Sequence, residues 1–222
     1  MIDVVTAAAK ELENIRSTPT GNQLKTGDIR KISALLYKGI KNAPASDVYS
    51  ICNELLAQQN WPMQVIAFDF AFRIKKKYNE NTFEIFEQWL EKDVRGWGDC
   101  DDFCTHAFGW LISQDTSLSK KTAEWVSRDE FWMRRAAAVV LLPSISQGKY
   151  IDVNPLRISD ILMYDEHHLV LKGYGWMLKA LSVKEPGLVF DYLMEKRAIM
   201  PRVAFRYALE KMDVVKKRLL MD

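Results

Sequence analysis

Cysteine is scarce in this chain, and the few cysteines form no recognisable covalent framework. Cys52, Cys100 and Cys104 are the three cysteines among 222 residues, and a small odd number is typical of a protein kept in a reducing compartment. No Cys-x-x-Cys or His-x-x-x-His pair accompanies Cys100, Cys104 and His106, so we expect buried thiols rather than zinc ligands. The sequence therefore predicts no disulfide framework, no metal, no cofactor and a cytoplasmic location.

Long apolar runs are also missing. No apolar stretch approaches the roughly 18 residues of a membrane span. Residues 1–12 lack the basic segment and apolar core of a signal peptide. No segment shows the alternation of apolar and polar residues that is typical of a half-exposed strand. These absences predict a protein without a membrane partner and without a β-sheet.

A strong net charge is missing as well, but the charges are unevenly distributed. The chain has 31 Lys and Arg against 29 Asp and Glu, which gives a net charge of +2. Acidic residues dominate between positions 80 and 102, whereas basic residues outnumber acidic ones from position 172 onward. Such asymmetry favours an anionic partner for the C-terminal part.

Helical periodicity is present almost throughout. The hydrophobic content of 48% is sufficient for one domain over residues 1–222. Amphipathic segments of roughly 12 to 17 residues are separated by short breaks, and alternate segments start about 35 to 45 residues apart, as in HEAT-type repeats. We therefore predict an all-α fold, an α-solenoid of HEAT-like antiparallel helix pairs with a concave surface. A compact helical bundle is the alternative.

Residues 95–106, RGWGDCDDFCTH, contain the densest group of chemically useful side chains. Trp97 and Asp101 are four residues apart and would share one face of a helix. An aromatic face and a carboxylate both attract cations. Asp99 and Asp102 add to the negative charge at this point. In the alternative interpretation, Asp99 caps the helix, Asp102 completes a capping box and Asp101 complements the helix dipole.

Paired arginines and paired glycines indicate further candidate positions. Arg134 and Arg135 begin an apolar helix, where a guanidinium needs a phosphate, solvent or an ion pair with an acid such as Asp101 or Asp129. Two glycines precede Trp176 in Gly-Tyr-Gly-Trp. Glycines inside a helix predict close approach of another backbone or of a ligand, while Trp176 itself fits either a core or a binding position.

The last strongly amphipathic helix carries Arg202 and Arg206 at a spacing of four, followed by Lys216, Lys217 and Arg218. These cations predict either a solvated helix face or a track for DNA phosphates. We include Arg134, Arg202 and Arg206 among the candidate DNA-binding residues.

Five short motifs, taken together and in order, carry a resemblance to a known family. They are Gly27-Asp-Ile-Arg-Lys-Ile, Trp97-Gly-Asp-Cys-Asp101, Trp132-Met-Arg-Arg135-Ala-Ala, Lys172-Gly-Tyr-Gly-Trp176-Met-Leu-Lys and Arg202-Val-Ala-Phe-Arg206-Tyr-Ala-Leu-Glu-Lys. In this combination the chain resembles the AlkD-like DNA alkylation-repair glycosylases. The resemblance implies HEAT-like repeats that form a basic concave groove for duplex DNA.

The resemblance also implies a function and a set of site residues. Family members excise cationic N3- and N7-alkylated purines from duplex DNA, in base excision repair, as hydrolases that need no cofactor. The catalytic aspartate of the family falls on Asp101, its two cleft tryptophans on Trp97 and Trp176, and its phosphate-contacting arginine on Arg135. We expect a monomer whose partner is double-stranded DNA containing alkylated bases. The alternatives are a non-catalytic binder of bent or branched DNA and a helical-repeat scaffold for protein interactions.

Overall fold

The computed structural model of the chain describes residues 3–16 and 24–221, and throughout these ranges the regular structure is helical, with no β-strand. The predicted all-α class is confirmed. None of the described helices combines the length and the apolar character needed to cross a membrane.

The chain divides into two compact units, Met1–Val94 and Arg95–Asp222. The single repeat domain over residues 1–222 and its basic concave groove stay predictions.

The first unit is built around one buried helix. Its helices are α1 Val4–Arg16, α2 Thr26–Ile40, α3 Ala45–Leu56, α4 Trp61–Arg73 and α5 Thr82–Lys92, with a 3-10 turn at Lys75–Lys77. α2 and α3 pack against α4, where Phe68 and Phe70 are fully buried. Asn60 caps α4 by accepting a hydrogen bond from the Met63 N–H at 3.2 Å. Pro62 lies in the first turn of this helix, the position that its lack of an N–H predicts from the sequence.

The second unit contains more and shorter elements. Its α-helices are α6 Trp97–Thr105, α7 Ala107–Gln114, α8 Ser119–Thr122, α9 Phe131–Val139, α10 Leu142–Ser146, α11 Tyr150–Val153, α12 Pro155–Leu162, α13 His168–Lys184, α14 Pro186–Lys196, α15 Arg202–Leu209 and α16 Val214–Met221. Two 3-10 turns lie at Thr116–Leu118 and Ala123–Ser127. Proline is favoured in the first turn of a helix, so the sequence predicts helix starts at Pro155 and Pro186, and each of them does open a helix.

Helix α13 is the centre of the second unit. α9 and α15 pack along it, and α10, α12 and α14 contact it as well. Tyr174, Met177 and Leu178 on α13 are completely buried in this arrangement. Each fully buried large apolar side chain stabilises the fold by about 1.5 to 3 kcal/mol, so α13 is a firm support for any residue that projects from its remaining face.

The helical pattern of the sequence predicts one continuous helix from about Asp99 to Ser113, and here the structure differs. The helix is interrupted at His106, which has a non-helical φ of −116° and ψ of −92°. Helix α7 then packs tightly against its surroundings, because a Cβ on Gly109 would lie 2.1 Å from the Cys104 carbonyl oxygen and 2.6 Å from Pro143 Cγ. The change of direction at His106 allows α7 to pack against α10.

Candidate functional site

Helix α6 positions the two residues from which the site prediction started. Gly96 is its N-cap residue and Trp97 its first residue, so Asp99 lies inside the first turn and the capping-box interpretation is wrong. The predicted placement of Trp97 and Asp101 on one helical face is confirmed, because both line the same cleft. Cys100 and Cys104 on the same helix are both buried thiols, as expected.

The cleft has a volume of about 460 Å³ and lies entirely in the second unit. It is lined by Trp97, Asp101, Arg135, His168, Leu169, Lys172, Trp176 and Tyr207. Trp97 is 56% exposed, whereas Trp176 is half-buried. The structure therefore brings together all four residues that the family resemblance had assigned to the site.

Asp101 and Arg135 form a bidentate ion pair across the cleft. Arg135 Nε donates to Asp101 Oδ1 at 2.7 Å and Nη2 donates to Oδ2 at 2.8 Å, while Nη1 donates to the Leu169 carbonyl. The side chain of Asp101 is 18% exposed and that of Arg135 only 6%. Burial alone would lower the pKa of Arg135, but the hydrogen bonds and charge of Asp101 outweigh it and raise that pKa.

This pairing answers one question that the sequence left open. The structure supports the ion-pair alternative for Arg135, with Asp101 as its partner. Contact between Arg135 and a DNA phosphate stays a prediction. The fork-to-fork geometry fixes the orientation of the carboxylate.

The two glycines on α13 make room for two different neighbours. A Cβ on Gly173 would lie 3.1 Å from Arg135 Cγ and 3.2 Å from its Nη1. A Cβ on Gly175 would lie 2.8 Å from the carbonyl oxygen of Ala204 on α15. The predicted close approach of another backbone is confirmed at Gly175, while at Gly173 the close neighbour is the Arg135 side chain.

Replacing Gly175 by alanine tests this close packing. We expect Gly175→Ala to lower the free energy of unfolding by about 1 to 3 kcal/mol, because the new methyl group overpacks the contact between α13 and α15. Alanine normally favours a helix over glycine by about 1 kcal/mol. Gly187→Ala is the matched control, since a Cβ there meets nothing within 4 Å, and it should be neutral or stabilising in urea unfolding. Equal effects of the two variants would contradict the packing argument.

Arg134 does not line the cleft, and its guanidinium is committed to the protein. Its Nε forms an ion pair with Asp165 Oδ2 at 2.6 Å, and its Nη1 donates to the carbonyl oxygens of Arg128 at 2.9 Å and Asp129 at 2.6 Å. The structure supports the ion-pair alternative here too, with Asp165 in place of the acids considered from the sequence. This arrangement gives no support to the predicted DNA-binding role of Arg134.

Arg202 and Arg206 are exposed on α15, outside the lining of the cleft. The guanidinium carbon of Arg202 lies 5.3 Å from the centre of the Phe205 ring. Tyr207, which follows Arg206 on the same helix, does line the cleft. Phosphate contact by these two arginines stays a prediction.

Four lining residues were not singled out from the sequence. His168, Leu169 and Lys172 lie on the first turns of α13, and Tyr207 lies on α15. One signal was available, because His168, Lys172 and Trp176 follow one another at intervals of four and therefore share a helical face. Tyr207 gave no such signal, because its place in the cleft depends on how α15 packs against α13.

The crowding of acids on α6 has an electrostatic consequence at Asp99. Its pKa is raised above the usual value, mainly by burial and further by the charge of Asp102, against a lowering by a backbone hydrogen bond. Asp99 does not line the cleft. Its buried charge therefore lowers the stability of the fold and makes no contact in the site.

The raised pKa of Asp99 gives a pH-dependent prediction. The folded protein binds the Asp99 proton more tightly than the unfolded chain, so this group lowers stability as pH rises from the unfolded pKa near 3.8 through the higher folded pKa. We expect Asp99→Asn to be more stable than wild type at pH 7, with the advantage disappearing below pH 3.8. Urea unfolding at both pH values measures this, and a constant difference between the two proteins would contradict it.

Comparison with known proteins agrees with the resemblance described above. The chain matches the model of the family described as DNA alkylation repair enzyme over residues 23–212. Among solved structures, it is similar to a predicted DNA alkylation repair enzyme from Enterococcus faecalis, with a TM-score of 0.72 and 17% identity over 94% of this chain and 95% of that chain. At this identity the similarity is one of fold. No curated protein sequence matches the chain significantly. Because the family model spans most of the chain, this protein belongs to the DNA alkylation repair enzyme family.

Proposed function

We propose that this protein is a DNA glycosylase that releases cationic N3- or N7-alkylated purines from duplex DNA. The observation that carries the proposal is the meeting of Asp101, Trp97 and Trp176 in one cleft. A fixed carboxylate in the same cleft as two indole rings is suited to a positively charged nucleotide. Membership of an alkylation-repair family supports the same substrate class.

The reaction requires a negatively charged carboxylate and no proton donor. An alkylated N3 or N7 makes the purine positively charged, so it leaves with the electron pair of the C1′–N bond and becomes neutral without a proton donor. The sugar then carries the positive charge of an oxocarbenium-like species. Asp101 stabilises that charge and orients a water molecule, whose oxygen bonds to C1′ and whose released proton passes to solvent.

The surroundings of Asp101 serve the same reaction. Arg135 holds both carboxylate oxygens at 2.7 and 2.8 Å, which fixes their direction before substrate arrives. Trp97 and Trp176 contribute cation–π contacts worth about 0.5 to 2 kcal/mol each. Exposed cations such as Arg202 and Arg206 supply affinity for phosphates that depends on salt and not on base sequence.

Release of free base is the direct test. Duplex DNA treated with a methylating agent is incubated with the protein, and freed 7-methylguanine and 3-methyladenine are measured by mass spectrometry. We expect release above the spontaneous rate of the same DNA without protein. Tight binding with no release above that background would contradict the glycosylase proposal.

A non-catalytic binder of bent or branched DNA is the second candidate, and one observation favours it. Both oxygens of Asp101 accept hydrogen bonds from Arg135, so part of the carboxylate charge is already balanced within the protein. A binder of this kind would retain branched DNA in a mobility-shift assay and release no base from methylated duplex.

A further inference from the structure

A stack of three aromatic rings ends at the cleft. The rings of Phe131 and His167 are nearly parallel, with centroids 4.1 Å apart and an angle of 11°. The rings of His167 and His168 continue the stack at 5.2 Å and 20°. His168 lines the cleft, so the last ring of the stack is part of the site.

The middle ring of the stack is held firmly. His167 is the N-cap residue of α13, and its Nδ1 accepts a hydrogen bond from the Leu169 N–H at 3.3 Å. Its own backbone N–H donates to Asp165 Oδ1 at 2.8 Å. Asp165 is in turn fixed by the ion pair with Arg134. The His167 pKa is lowered by burial and by the neighbouring His168, so this ring is neutral near pH 7.

The outer ring, that of His168, is in contrast held, within the described chain, only by its stacking on His167. His168 is exposed, and its imidazole makes no hydrogen bond or ion pair with any other residue in the ranges 3–16 and 24–221. One of its faces lies against His167, and no other aromatic ring of the described chain stacks on it. A preformed stack that ends in an exposed, half-covered ring is suited to one more planar ring.

The position of His168 relates this further ring to the rest of the cleft. Leu169, the residue next to it, accepts a hydrogen bond from the Arg135 guanidinium that holds Asp101. Trp176 lies eight residues further along α13, which corresponds to about 12 Å along the helix axis. His168 and Trp176 are therefore two helical turns apart, and each can take a different base.

We propose that His168 is a stacking platform for a second nucleobase of the bound DNA, distinct from the alkylated base at Trp97 and Trp176. The proposal rests on the proposed function only in so far as DNA occupies the cleft. Stacking accepts any base, because every base has a π-face. His168 is thus a positioning residue that holds DNA distorted around the lesion, and it takes no part in breaking the glycosidic bond.

The test uses a duplex that cannot react. It contains a tetrahydrofuran abasic-site analogue, with the fluorescent base 2-aminopurine placed opposite, 5′ or 3′ to it in three separate versions. Wild-type protein should quench the 2-aminopurine in at least one version, because stacking on an aromatic ring quenches its fluorescence. His168→Ala should lose that quenching and weaken binding in fluorescence anisotropy about 10-fold.

Two further variants separate stacking from charge and from loss of an exposed ring. His168→Phe keeps a planar ring and should retain most of the affinity and quenching, whereas His168→Lys keeps a cation and should behave like His168→Ala. Tyr164→Ala removes an exposed ring outside the cleft and should leave binding unchanged. Melting temperatures of all variants check that each is folded.

The outcomes distinguish this inference from the proposed glycosylase. Normal binding and quenching by folded His168→Ala would overturn the platform alone, whatever the base-release assay shows. Retention by His168→Lys but not by His168→Phe would replace stacking by a phosphate contact and would also overturn it. Stacking on His168 without any base release would support the platform while the glycosylase proposal fails. No binding of the duplex by wild type would also overturn the platform, and base release alone would then decide the glycosylase proposal.

Discussion

Asp101→Asn is expected to reduce the release of 7-methylguanine and 3-methyladenine by at least about 100-fold, the size of effect seen when one preorganised electrostatic group is removed from a reacting centre. Asparagine keeps the shape of the side chain but loses the negative charge that would face the oxocarbenium-like sugar. Binding to undamaged duplex should change little, because phosphate contacts provide that affinity. Mass spectrometry of freed bases and anisotropy with undamaged duplex measure the two effects separately.

Asp99→Asn is the matched control for that experiment. It removes the same charge from the same helix, two residues away, at a position that does not line the cleft, and it should release base at the wild-type rate. Both variants must be folded, since Asp101→Asn also weakens the pairing with Arg135. Wild-type release by a folded Asp101→Asn protein would remove Asp101 from the reaction.

Arg135→Met is expected to lower the free energy of unfolding by about 3 to 5 kcal/mol, the usual cost of removing one partner of a buried ion pair. The variant leaves Asp101, whose side chain is only 18% exposed, without its cation, and removes the hydrogen bond from Arg135 to the Leu169 carbonyl. Methionine fills much of the same volume, so the expected loss is mainly electrostatic. Urea unfolding followed by circular dichroism measures it.

The exposed Arg197, which lies just after α14, supplies the control Arg197→Met, and a change within about 0.5 kcal/mol is expected there. The double variant of Arg135→Met with Asp101→Asn should be more stable than the sum of the single effects predicts, because the second change removes the uncompensated charge. Strict additivity would show that the pair observed at 2.7 Å contributes little to stability.

The surroundings of Asp101 show how much of the site the sequence predicts. The spacing of Trp97 and Asp101 predicted a shared helical face, and the tertiary arrangement agrees. The sequence also offered both an ion pair and a phosphate as partners of Arg135. The choice depends on the packing of α6, α9 and α13, which brings together residues 34 positions apart. A pattern within a few neighbouring residues gives no information on contacts across such a separation in sequence.

The sequence by itself determined the helical class, many of the helix starts and the residues of the family motifs, because helix periodicity, proline positions and short motifs are written within a few neighbouring residues. Only the tertiary structure decided that Arg135 pairs with Asp101 and Arg134 with Asp165, that His106 divides the helix after the site, and that the ring of His168 closes a stack beside the cleft. These features arise from contacts between helices that are distant in the chain, and such contacts are fixed by packing rather than by local preference.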